Sequence, residues 1–240
     1  MLATTLPALL AAALALLSLA SSVSTVDLTL TADTPIVVAP SDLRDGAFAL
    51  ALRDLQRDWY AVLGSPPVIL SRAPAAGLAV ALGSAGRAAL APGDRCAATN
   101  EAHCVVLRGG RLLVATGAPG SLGAVYGIYA LSEWLGVVPL HAFAELRTPP
   151  RRAAVSVPAA LALRYEPTGW AQRAVFLNDE DLSAGFGADP LGDGIGAESY
   201  NRIYEALLRL KANGVISGTA NFPDQRGGTS LAAKRGLQLL

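Results

Sequence analysis

From residue 26 onward, short β-branched and apolar runs alternate with longer stretches of helical periodicity. This alternation restricts the chain to the α/β class, because each helix must cover a sheet and each strand run is too short to form a core alone. "VDLTL" and "PIVVA" read as strands. "SDLRDGAFALALRDLQRDWYAVLG" reads as a helix: Phe48, Leu52, Leu55, Trp59 and Val62 recur on one helical face, and Gly64 stands at the C-cap. "PPVIL" and "LAVAL" are further strands, the second leading into a short helix, "GSAGRAALA". "CVVLRGGRLLVA" is a hairpin turning at Gly109-Gly110, where positive φ is tolerated. "PGSLGAVYGIYALSEWLGVV" is a second long helix ending at Gly136. Residues 26–150 are therefore expected to form a small α/β domain.

"RTPPRR", residues 147–152, has two prolines, three arginines and no apolar residue. It is the best linker, so residues 151–171 are read as linker and connecting strand. Beyond it, "QRAVFLND" reads as a buried-type strand and "ESYNRIYEALLRLKANG" as an amphipathic helix. Tyr200, Ile203, Leu207 and Leu210 line the apolar face of that helix, with Gly214 as its terminator. "VISGTANF" is another strand, and "TSLAAKRGLQLL" is a helix running into a last one. This order predicts a parallel sheet.

In α/β folds, ligand sites form at the carboxyl ends of parallel strands. Asn178, Asp179 and Glu180 stand at the end of one predicted strand, and Asn221 and Asp224 follow the next. Carboxylates and amides in that mixture suit sugar hydroxyls, and glycoside hydrolysis needs a carboxylate pair, roughly 5–9.5 Å apart. The plainer reading of "NDED" is an Asx-turn or helix cap, and Asp181, Asp189 and Asp193 are read as solvated. A Ca²⁺ loop lacks the required D-x-[DN]-x-[DN]-G spacing. "GAPGSLG" lacks the GxGxxG order and reads as tight helix approach, and Ser121 and Ser183 have no G-x-S-x-G context.

Composition narrows the partners. Lys+Arg and Asp+Glu are both 19, and no basic run is interleaved with aromatics, which argues against nucleic acid and anionic membrane surfaces. "LPALLAAALALLSLASS", residues 6–22, ends in small residues and reads as a cleaved signal peptide, residues 1–25; a signal anchor is the alternative. The chain is thus expected to be secreted and extracellular, with no membrane attachment after cleavage. In that compartment Cys96 and Cys104 read as a local disulfide. His103 and His141 are the only histidines, so no metal site is expected.

"RAVFLNDEDLSAGFGADPLG", followed by "YNRIYEALLRLKANGVISGTANFPD", resembles glycoside hydrolase family 115, the xylan α-1,2-glucuronidases. "GAVYGIYALSEWLGVVPL" resembles the end of that family's N-terminal α/β domain. The resemblance implies an α/β fold: a small N-terminal domain followed by a (β/α)8 barrel. It also implies inverting, metal-free and cofactor-free hydrolysis of 4-O-methylglucuronic acid side chains on xylan. The resemblance places Asn178 and Asp179 in the active site, with Asp179 the catalytic candidate, and Glu180 matches the same motif; the strand-end reading adds Asn221 and Asp224 to the substrate-binding rim with Asn178 and Glu180. Arg173 matches a basic residue leading into the strand, in a structural role. Ala174 departs from a common Gly, and "ISGTANFPD" lacks the Trp of many members. The resemblance is compatible with oligomers of the full-length protein.

A (β/α)8 barrel takes about 250 residues. Residues 172–240 number 69 and hold two β/α units and the start of a third strand, an incomplete barrel. The expectation is a truncated glucuronidase, inactive alone, with an open sheet edge and an uncovered apolar face. Two alternatives are a short secreted carbohydrate-binding or interaction module, and a nucleotide- or cofactor-binding α/β protein that rests on rhythm alone.

Overall fold

A computed structural model describes residues 27–74, 79–94, 96, 99–118, 122–143, 149–166, 169–177, 197–216 and 231–240. The first long helix, α1 (Gly46–Leu63), starts where the Asp45 carboxylate accepts from the Ala47 and Phe48 amides, satisfying donors that the first turn cannot pair. It ends at Gly64, whose φ of 91° is left-handed. Phe48, Leu52, Leu55, Trp59 and Val62 are all buried, as their spacing predicts.

The first sheet has six strands in the order β3-β2-β4-β6-β5-β8. They are β2 (Ile36–Val37), β3 (Ile69–Leu70), β4 (Ala79–Leu82), β5 (His103–Arg108), β6 (Arg111–Thr116) and β8 (Ala162–Tyr165). β3, β2, β4 and β6 run parallel, whereas β5 is antiparallel to both β6 and β8. The predicted hairpin is present, with Gly109 and Gly110 at φ 55° and 72°. Residues alternate between faces, so Val80 and Leu82 join α1 and α3 (Leu122–Trp134) in the main core. Ala79 and Ala81 face the other way, toward Ala85 of the short helix α2 (Gly83–Ala88).

Residues 151–171, read as linker and connecting strand, also complete these sheets. β7 (Val155–Val157) pairs antiparallel with β1 (Leu28–Leu30), and β8 is the edge strand beside β5. Arg151 and Arg152 of "RTPPRR" are both engaged. Arg151 lies 5.3 Å over the Tyr60 ring, and the Arg152 amide donates to the Val62 carbonyl.

The second sheet has three parallel strands, β9 (Ala174–Phe176), β10 (Gly214–Ile216) and β11 (Gln238–Leu239), in spatial order β11-β10-β9. Helices α4 (Ala197–Arg209) and α5 (Leu231–Lys234) connect successive strands. Tyr200, Tyr204, Leu207, Leu208 and Val215 share one apolar core with Phe48, Trp59 and Tyr129. The β/α units therefore pack on the α1/α3 side of the first sheet.

Three expectations are corrected. Leu210 is 53% exposed, and Tyr204 and Leu208 take the inner face of α4 instead. Gly214 does not end that helix; the left-handed residue after it is Lys211, at φ 66°, and Gly214 opens β10. A Cβ at Gly214 would stand 3.2 Å from the Ala174 Cβ and 3.3 Å from Leu240 Cδ1, so the glycine permits close strand approach. Finally, β9 is not buried: Val175 and Phe176 are 41% and 54% exposed. Ile216, Leu239 and Leu240 are exposed beside them, which is the uncovered apolar surface expected of three barrel-type strands. Among the described residues no helix is long and apolar enough to cross a membrane.

Candidate active-site rim

β9 and β10 run side by side in exact register, Ala174 opposite Gly214 and Phe176 opposite Ile216. The ladder closes with the Leu177 amide donating to the Ile216 carbonyl at 3.1 Å. Asn178 follows immediately in the chain. The segments beginning at residues 178 and 217 therefore leave the same end of one parallel sheet, where α/β folds place ligand chemistry. Asn178, Asp179, Glu180, Asn221 and Asp224 themselves lie outside the described residues, as do Asp181, Asp189 and Asp193.

The opposite end of these strands is held by a polar clamp. The Arg173 amide donates to Asn213 Oδ1 at 2.8 Å, and the Asn213 amide donates back to the Arg173 carbonyl at 3.2 Å. Arg173 Nε donates to the Lys211 carbonyl at 2.8 Å, and Nη1 to the Trp170 carbonyl at 2.8 Å. Arg173 Nη2 meets Glu101 Oε2 at 2.7 Å, while Asn213 Nδ2 donates to Glu101 Oε1 at 3.1 Å. One carboxylate just ahead of β5 thus ties together the residues that precede β9 and β10. Burial alone would lower the Arg173 pKa, but the Glu101 carboxylate raises it above the ordinary arginine value.

Helix α3 reinforces the clamp. Tyr126 donates its hydroxyl to the Ala212 carbonyl at 2.8 Å, and burial, with Glu101 nearby, pushes its pKa up to about 12. Lys211 Nζ lies 5.5 Å from the Tyr126 ring centroid and donates to the Tyr126 carbonyl at 3.1 Å; burial pulls its pKa down to about 8. Arg173 thus has the structural role implied for it. Sequence reading missed Glu101 and Asn213, whose partners lie far away in the chain.

A second polar assembly fixes α4 and was not legible as a site. Asp54, Arg57 and Asp58 of α1 meet Glu205 and Arg209 of α4 and Arg235 after α5. Arg235 Nη1 and the Tyr129 hydroxyl both donate to Asp54 Oδ2 at 2.7 Å. Arg209 Nε donates to Glu205 Oε1 at 3.0 Å. Burial would raise the Glu205 pKa, but the Arg209 and Arg57 guanidiniums outweigh it and hold it below the usual glutamate value. Burial and Asp54 push Tyr129 well above the usual tyrosine value. With every carboxylate paired, this assembly orients α4 against α1.

Cys96 and Cys104 form a disulfide with Cα atoms 5.9 Å apart, tying the preceding loop to β5. No group of three or more metal-ligating side chains occurs among the described residues.

The strands of the rim, their register and the Arg173, Lys211 and Asn213 side of the clamp fall within one stretch of sequence, whereas Glu101 and Tyr126 come from the α/β body. Residues 169–239 match the family model of glycosyl hydrolase family 115. The matched stretch runs from just before β9 through β11. A solved family GH115 4-O-methyl-alpha-glucuronidase, BtGH115A, described as specific for decorated arabinogalactans, superposes with a TM-score of 0.71 at 23% identity. The similarity covers 88% of this chain and 29% of that one. The N-acetyl-beta-hexosaminidase of Streptomyces plicatus superposes with a TM-score of 0.53 at 15% identity, over 90% of this chain and 42% of its own. The GH20 beta-N-acetylhexosaminidase of Streptomyces coelicolor gives 0.51 at 16% identity, over 90% and 43%. The chain therefore spans well under half the length of these structures. What they share with it is the fold: an α/β body followed by the first β/α units of a TIM-barrel enzyme. No curated protein matches the chain.

Proposed function

We propose that the chain carries the N-terminal α/β body and first barrel strands of a secreted α-glucuronidase-type glycoside hydrolase. One observation carries the reading: the family 115 match coincides with the parallel β9-β10 pair, whose carboxyl ends lead into Asn178-Asp179-Glu180 and toward Asn221 and Asp224. The substrate class is a polysaccharide bearing (4-O-methyl)glucuronic acid side chains, xylan first. Asp179 serves as one carboxylate of an inverting pair; in such pairs the carboxyl groups stand about 6.5–9.5 Å apart, with a water between one of them and the sugar. The partner carboxylate belongs to a later barrel strand, so residues 25–240 alone are inactive. Export is supported by the apolar leader at residues 6–22 and by the Cys96–Cys104 disulfide.

The test is uronic acid release from glucuronoxylan. Purified residues 25–240 are expected to release none, and measurable turnover by that piece would refute the need for a later carboxylate. Where the complete barrel is present, proton NMR should show the β-anomer of the uronic acid as first product, as inversion requires. A first-formed α-anomer would contradict the assigned chemistry.

A further inference from the structure

The first sheet contains a crevice of its own. From β2 the chain passes through α1 to β3 on one side, whereas from β4 it passes through α2 toward β5 and β6 on the other. α1 and α2 also lie on opposite faces. Adjacent parallel strands whose connections diverge in this way leave an opening at their carboxyl ends, the place where open α/β sheets bind ligands. A cavity of about 140 Å³ lies there, lined by Ser41, Asp42 and Asp45 after β2, Ser84 after β4, and Thr116 at the end of β6. Phe48 closes the floor from the core side and is itself buried.

The lining chemistry selects the ligand. Helix-start amides that would hold a phosphate are already used: Ala47 and Phe48 donate to Asp45 Oδ1, and Ser84 donates to Asp42 Oδ2 at 2.8 Å. No Lys or Arg is among the described lining residues, and two carboxylates are. Anions, including nucleotides, are disfavoured. A carboxylate has about four acceptor sites. Asp42 spends two on the Ser84 amide and hydroxyl, and Asp45 spends one oxygen on its helix. The remaining acceptors and the Ser41 hydroxyl suit a small neutral ligand rich in hydroxyl donors. The volume is close to the roughly 150 Å³ of a cavity that holds benzene, so the crevice takes at most one ring, with its substituents at the open mouth.

We propose that this crevice binds a single neutral sugar ring through Asp42, Asp45 and Ser41. The proposal stands on the first sheet alone and does not rest on the glycosidase reading. It is tested by titrating the isotope-labelled chain with D-xylose, D-galactose and L-arabinose, following the Phe48, Ser84 and Thr116 amide signals by NMR. Sodium glucuronate, phosphate and calcium chloride are the comparison probes. Saturable shifts with at least one neutral sugar are expected, and none with glucuronate or phosphate. Ser41→Trp fills the exposed mouth and should weaken binding by about tenfold or more. Asp45→Ser keeps a helix-capping oxygen but removes the carboxylate; it should weaken binding while leaving the melting temperature near that of the unaltered chain. No saturable shift with any neutral sugar would overturn the proposal. So would equal binding by both variants, or the same shifts produced by calcium alone.

Discussion

Arg209 Nη2 donates to Asp58 Oδ2 at 2.6 Å, and both side chains are 2% exposed. The two residues are separated by 151 positions and belong to α4 and α1, so the bond joins the first β/α unit to the α/β body. Removing Arg209 leaves the buried Asp58 with Arg57 at 3.4 Å and takes a partner from the buried Glu205, so two carboxylates lose compensation, whereas replacing Asp58 as well removes one of those costs. Arg209→Met is expected to destabilise the chain by about 3–5 kcal/mol in urea unfolding. Asp58→Leu combined with Arg209→Met should recover part of that loss, the remainder reflecting Glu205, which also pairs with Arg209. A double variant no better than the worse single one would show that the assembly does not act as a coupled pair.

The same lattice makes unfolding a shared event. Trp59 of α1 and Val215 of β10 lie in one apolar core, with the ion pairs beside them. Tryptophan fluorescence and hydrogen exchange at the Val215 amide are expected to report one transition. Loss of β10 protection well before the fluorescence change would mean that the β/α units open independently.

Much of the α/β body was legible because its signals are local. The spacing of Phe48, Leu52, Leu55, Trp59 and Val62 marks one helical face, and Gly64 and Gly109-Gly110 are sites that need left-handed backbone. The errors occur where tertiary partners decide. Leu210 fits the apolar period of α4, but the helix ends at Arg209 and Lys211 takes the left-handed turn. Asp54, Asp58, Glu205 and Arg209 drew no reading from the sequence, because only their docking against one another makes burial tolerable. The i,i+4 spacing of Asp54 with Asp58 and of Glu205 with Arg209 was the available cue. For the rim, the sequence located the strand ends, and the structure supplies their adjacency and register up to Leu177 and Ile216.

Arg173 holds the approach to β9 through Glu101, the Lys211 carbonyl and the Trp170 carbonyl. Hydrogen bonds to a charged group contribute roughly 1.5–3 kcal/mol each when buried. Arg173→Ala is therefore expected to speed hydrogen exchange at the Leu177 amide, the last rung between β9 and β10, more than at the Leu113 amide of β6. Arg173→Lys keeps the charge but loses the planar fork, and should be intermediate. Equal acceleration at both amides would mean global destabilisation and no local clamp.

His103 is buried, stacked on Tyr165 with ring centroids 4.6 Å apart, and its Nδ1 bonds the Glu101 carbonyl at 3.0 Å. Burial, with Lys211 adding to it, lowers its pKa from 6.5 to about 4. The unfolded chain takes up a proton below pH 6.5 and the folded chain does not until about pH 4, so stability falls as pH drops through that window. The loss attributable to His103 is on the order of 3 kcal/mol. His141 is shifted in the same direction by burial and adds to the slope. Urea midpoints measured from pH 7 to pH 4 should fall steeply for the unaltered chain and less steeply for His103→Leu. Parallel slopes would mean that His103 protonates freely in the folded state.

The most direct measurement is uronic acid release from glucuronoxylan and from a decorated arabinogalactan by the protein encoded at the native locus, with and without Asp179→Asn. Release by the unaltered protein is expected, falling by about 100-fold or more in the variant with its melting temperature unchanged, because a carboxylate acting in proton transfer contributes at least that much. Equal rates in the two proteins, or no release by the unaltered one from either polymer, would contradict the assignment of Asp179 to a glucuronidase active site.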